Sequence, residues 1–202
     1  MTDELVAIKD YQGLVEVVKL HSQKLNCIEL IKCRVLEKTE FTFESQVSIF
    51  NKTLIVQEVH FCEDDFDRLL KVIFSQRQFA ELHIRELKPK LSLRLSETLG
   101  ELLSTDDHLR SLHLPMDWLT NADVQAIAKC FKTNKSLAEL YLPNNNIDET
   151  GLTDIYHALP ESTHLLTLDV SSNPCKGEAI HHLENLIPDF IHTYDEEDED
   201  DD

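Results

Sequence analysis

Leu137-Ala-Glu-Leu140-Tyr-Leu142-Pro-Asn-Asn145-Asn-Ile147 is the stretch on which the fold turns. Leu140 and Leu142 are two residues apart, so in a strand their side chains share one face while Glu139 and Tyr141 point to the other. Twenty-eight residues earlier stands Leu109-Arg-Ser-Leu112-His-Leu114, and 28 residues later Leu165-Leu-Thr-Leu168-Asp-Val170. Asn145 and Asn173 fall at one offset, with Asp117 in the earlier copy, and Leu119 and Ile147 match two residues further on. An amide there can bond backbone groups that a turn leaves unpaired. Behind each turn the apolar residues repeat at helical spacing: Val124, Ile127 and Phe131 match Leu152, Ile155 and Leu159. The repeating unit is therefore a short strand, a turn and an amphipathic helix.

Self-similarity at this period is the signature of a stacked array. The pattern L-x-x-L-x-L-x-x-N/C-x-L resembles a leucine-rich repeat, and its length of 28 resembles the ribonuclease-inhibitor subclass. The resemblance implies an α/β leucine-rich-repeat solenoid of about six repeats, with a curved parallel sheet on the concave side and helices on the convex side. It implies a binding module rather than an enzyme. The first half follows the template less closely: Leu25-Asn-Cys-Ile28-Glu-Leu30, Val56-Gln-Glu-Val59-His-Phe61 and Phe79-Ala-Glu-Leu82-His-Ile84. Strands are expected near Leu25, Val56, Phe79, Leu109, Leu137 and Leu165. The alternative for residues 25–91 is a separate α+β piece.

Residues 1–24 read as an N-terminal helical cap, residues 25–187 as the repeats, and 188–202 as a C-terminal seal followed by an acidic tail. Gly177 to Leu186 reads as the last helix, which Pro188 stops. The tail, 195–202, is a run of eight acids with no apolar side chain and is expected to be disordered.

The chain carries a net charge of −19, and the tail's eight charges leave −11 for the rest. Such a body repels nucleic-acid phosphates and anionic membranes, so the expected partner is another protein with a basic patch. The five cysteines are odd in number and form no C-x-x-C pair, which favours reduced thiols in a cytoplasmic setting. The first residues show no signal-peptide pattern, and no apolar run reaches the ~20 residues that span a bilayer. A monomer apart from its partner is expected.

In the template the leucines point inward and the residues between them outward, so equivalent residues of stacked strands form ladders about 4.8 Å apart. The central ladder reads Glu29, His60, His83, His113, Tyr141 and Asp169. Its neighbours read Cys27, Glu58, Glu81, Ser111, Glu139 and Thr167, then Ile31, Cys62, Arg85, Pro115, Pro143 and Ser171. Met116 and Trp118 stand in the turn after the fourth strand. The expected partner-binding residues are Glu58, His60, Glu81, His83, Arg85, His113, Met116, Trp118, Glu139, Tyr141 and Asp169. Aromatic and imidazole rings on a rigid face suit a protein interface. A row rich in histidine is also expected to make binding depend on pH near about 6 to 7.

No catalytic residue, cofactor or metal is expected. Imidazoles at strand spacing do not by themselves converge on an ion, and His60 with Cys62 lacks an orienting group or oxyanion donor. Repeat proteins that activate the Ran GTPase share the layout of repeats followed by acid, which makes a GTPase-activating protein one alternative. A glutamate-rich C-terminus also resembles the export signal of small bacterial effectors. The other alternative is thus a secreted effector in the host cytosol, or an inhibitor that occludes another enzyme's active site.

Overall fold

The computed structural model describes residues 27–31, 52–57, 63–77, 79–88, 90–115, 119–160 and 163–193. The N-terminal cap and the acidic tail lie outside them, as do Glu58, His60, Cys62, Met116, Asp117 and Trp118. Among the described residues the elements run β1 (Cys27–Ile31), β2 (Lys52–Gln57), α1 (Glu63–Gln76), β3 (Phe79–Arg85), α2 (Leu93–Thr105), β4 (Ser111–His113) and α3 (Asn121–Ala128), strand and helix alternating from β2 onward. A 3-10 turn (Lys129–Lys132) extends α3. Then come β5 (Glu139–Tyr141), α4 (Glu149–Ala158), β6 (Thr167–Asp169), α5 (Glu178–Leu186) and β7 (Asp189–Ile191).

The seven described strands are parallel and stack in chain order, so β2 to β6 each pair with the strands before and after them, and β1 and β7 form the ends. This continuous sheet removes the separate N-terminal piece as an alternative. It also has one strand more than expected, because residues 189–191 pair with β6 instead of only sealing the end. The seventh strand has no helix after it among the described residues.

The second strand is the main correction. The expected copy begins at Val56, but β2 begins at Lys52, and Leu54 and Val56 pair with Leu82 and Ile84. The outward positions beside Glu81 and His83 are therefore held by Thr53 and Ile55, not by Glu58 and His60. Both windows fit the apolar template. Leu54 and Val56 are fully buried, and the pairing with β3 selects them. The register shifts by one residue between the Lys52–Phe79 and Thr53–Glu81 pairs, where Ala80 of β3 is passed over.

Each helix repeats the same physics. Val124, Ile127, Phe131, Leu152, Ile155 and Leu159 are all buried and join the template leucines in one core running the length of the sheet. Ser92 caps α2 by accepting from the Leu95 N–H, and Asp148 caps α4 by accepting from the Thr150 N–H. Asp123, buried in α3, accepts from the Thr120 N–H and hydroxyl and from the Ser96 hydroxyl of α2. The buried charge is thereby satisfied and also ties two helices together. Gly100 lies where α2 meets the backbone of α3, and a Cβ there would strike the Ala126 carbonyl.

The asparagines behave as their position implies. Asn145 accepts from the Leu119 N–H at 3.0 Å and donates to the Leu114 and Leu142 carbonyls at 2.8 and 3.0 Å. Asn173 repeats this one unit later, accepting from the Ile147 N–H and donating to the Leu142 and Val170 carbonyls. Each side chain joins its own turn to the preceding one.

Candidate functional site

The alternation of the strands leaves one face of the sheet away from the helices. Inward residues from Leu54 to Leu168 are buried, whereas Glu81, His83, His113, Glu139, Tyr141 and Asp169 are partly exposed. The parallel register brings Glu81, Ser111, Glu139 and Thr167 into one row and His83, His113, Tyr141 and Asp169 into the next. Seven of the eleven expected partner-binding residues, Arg85 among them, thus lie on this face. Arg85 ends β3 beside Gln57, continuing the third row. Glu58, His60, Met116 and Trp118 lie outside the described residues.

The rings of the central row touch. His83 and His113 stack with centroids 3.8 Å apart and planes 7° from parallel, and His113 and Tyr141 stack at 4.2 Å and 7°. Strand spacing near 4.8 Å sets this distance, and a slight lean of the rings closes the rest. Glu81 crosses from the neighbouring row. One carboxylate oxygen lies 2.6 Å from His83 Nε2 and 3.4 Å from His113 Nε2, and the other accepts from the Thr53 hydroxyl at 2.7 Å. Ser111 Oγ stands 2.9 Å from His113 Nε2. Thr53 reaches the site only because β2 begins at Lys52, and a strand starting at Val56 would leave it in a loop.

Burial, and then the neighbouring His83, push His113 down to about 4 against the weaker pull of Glu81 and Asp169. Burial also works to raise the Glu81 carboxyl, but hydrogen bonds from Thr53 and His83 and the charge of the imidazoles hold it below its usual range. The Tyr141 phenol is raised by burial, then by Glu139, Asp189, Asp169 and Glu81. Among the described residues Glu139, Asp169 and Asp189 are paired with no Lys or Arg. Among the described residues this end of the face gathers negative charge around an aromatic ring with no cation paired to it.

The lowered His113 value carries a pH prediction. Between pH 6.5, its ordinary value, and about 4, the unfolded chain binds the proton that the folded chain refuses. Stability therefore falls as pH falls through that window. His113→Gln should flatten this part of the stability–pH curve in urea melts. An unchanged slope would show that the ring protonates normally in the fold. Burial thus holds His113 below the pH range of about 6 to 7 in which binding to the row is expected to vary.

Cys130 and Cys175 are buried free thiols, and burial pushes both up to about 12. No described helix is long and apolar enough to cross a membrane.

A parallel sheet built from successive strand–turn–helix units, with asparagines bridging the turns, places the chain among leucine-rich-repeat-like α/β folds. Among solved structures it is similar to a chain described as Leiomodin-1 Actin-Binding Site 2 (ABS2), with a TM-score of 0.55. That match is 17% identical and covers 64% of this chain and 80% of the other, a likeness of fold. No protein family and no curated protein sequence matches.

Proposed function

We propose that this chain is a protein-binding module of the ribonuclease-inhibitor type of leucine-rich repeat, and that a partner docks on the sheet face opposite the helices. The observation that carries this reading is the stacked His83–His113–Tyr141 row bordered by Glu139, Asp169 and Asp189, none of these carboxylates paired with a Lys or Arg among the described residues. A row of rings fixed by strand register loses little freedom on binding. Unpaired carboxylates favour a basic patch on the partner and speed its approach at low salt. The similar solved domain is described as an actin-binding site, which supports this use of the fold for a protein partner. Binding alone then scaffolds, recruits or blocks the partner, in the cytoplasm, without a reaction of the chain's own. Occlusion of an enzyme's active site is the form of blocking that such a face suits.

The test begins with a tagged full chain, a pull-down and identification of the partner by mass spectrometry. His83 and Tyr141 are then replaced together by Ala, with circular dichroism to confirm folding. The double variant should lose about 2 kcal/mol of affinity if these rings are anchors. Unchanged affinity in a folded double variant would move the interface to the helices or loops.

A further inference from the structure

The convergence of Glu81, His83 and His113 on one point has a consequence apart from protein docking. We propose that these three side chains form a binding site for a divalent transition metal ion of the Zn²⁺ type, with the remaining coordination position open to solvent.

Their ligand atoms lie within 4.8 Å of one another. A tetrahedral zinc ion bound at about 2.0–2.2 Å holds its N and O ligands roughly 3.3 Å apart. His113 Nε2 is already 3.4 Å from the Glu81 oxygen, and His83 Nε2, at 2.6 Å, has to draw back by about 0.7 Å to reach that spacing. The two rings are nearly parallel, so they must also splay at the Nε2 edge for both lone pairs to meet the ion. The side chains are 20%, 21% and 37% exposed for His83, His113 and Glu81, which leaves an approach from solvent.

The donor set selects the ion. Two imidazoles and one carboxylate suit zinc, copper or nickel, whereas calcium and magnesium take all-oxygen shells. Two His and a Glu with a fourth position open is a recurring zinc ligand set. Binding requires His83 Nε2, now 2.6 Å from the Glu81 carboxylate, to present its lone pair to the ion instead. The hydroxyl of Thr53 holds the far oxygen of Glu81, an outer contact of the kind that orients metal ligands. The histidine row alone could not have made the site. Its third ligand comes from the adjacent row, two residues before His83 on the same strand.

The full chain, freed of metal, is titrated with Zn²⁺ and separately with Mg²⁺ by calorimetry at neutral pH. Co²⁺ loading is followed by visible absorption. Zn²⁺ should bind at one site and raise the melting temperature, Mg²⁺ should not compete, and Co²⁺ should give tetrahedral d–d bands without thiolate charge transfer. His83→Gln combined with His113→Gln should abolish that site. Glu81→Gln, which keeps the shape, should weaken it at least about tenfold, and Thr53→Val about tenfold. His182→Gln, exposed on α5, should change nothing. Thiolate charge transfer, equal competition by Mg²⁺, or the same stoichiometry and affinity in Glu81→Gln as in the wild-type chain would overturn the proposal. Thiolate charge transfer would place the ion on the cysteines, Mg²⁺ competition would place it on carboxylates alone, and an unaffected Glu81→Gln would remove Glu81 from the ligand set. No partner protein enters the experiment, so its result stands apart from that of the docking test.

Discussion

Leu140→Ala is expected to destabilise the folded chain by about 2–5 kcal/mol. Leu140 is 1% exposed and sits in β5 directly between Leu112 and Leu168 of the flanking strands. Truncation removes buried apolar surface and leaves a cavity in the middle of the array. Strands on both sides are held by backbone bonds and cannot easily collapse into it. In a stacked-repeat protein such a loss weakens two interfaces at once, because each unit is stabilised mainly by its neighbours. A cost of this size is a large part of the ~5–15 kcal/mol that holds a domain folded. Urea melts followed by far-ultraviolet circular dichroism would measure it. A change below about 1 kcal/mol would mean that Leu140 and Tyr141 have exchanged faces, since a one-residue slip moves every side chain across the sheet.

The second large effect should come from Asn145→Ala, at about 2–6 kcal/mol. The amide serves the Leu119 N–H and the Leu114 carbonyl, and Ala leaves both buried groups without that partner. Each orphaned group costs about 1–3 kcal/mol. The Leu142 carbonyl is spared, because Asn173 also donates to it at 2.8 Å. Asn145→Asp should be no better than Ala. It keeps an acceptor for the Leu119 N–H but turns a carboxylate toward two carbonyl oxygens. If Asn145→Ala melted within about 0.5 kcal/mol of wild type, the turns would be held by their backbone alone, and the bridging role would be lost. Full wild-type stability in Asn145→Asp would remove the donor half of the argument.

The sheet face and its rings are largely legible in the sequence. Residues 109–173 repeat with a fixed period, and the inward or outward sense of each residue follows from strand alternation, a local property of the backbone. Ser111, His113, Glu139, Tyr141, Thr167 and Asp169 accordingly occupy the rows expected of them. The asparagines are equally readable, since their offset from the strand is fixed by the length of the turn.

Local pattern therefore suffices to define the unit: a strand, a bridged turn and a helix, whose periodicities of two and of three to four are set by residues close together in the chain. Three matters depend instead on long-range pairing. The second strand could lie at Lys52–Gln57 or a few residues later, because two overlapping apolar windows fit one template, and only pairing with β3 tells them apart. The seventh strand, Asp189–Ile191, has little template of its own and forms because β6 offers it an open edge. The meeting of Glu81, His83 and His113 depends on stacking of β3 against β4, which brings side chains from separate repeats to within a few ångströms. Spacing along the chain records which face a residue takes. Which residues on that face touch is set by the register between strands, a contact between distant segments that no local pattern encodes.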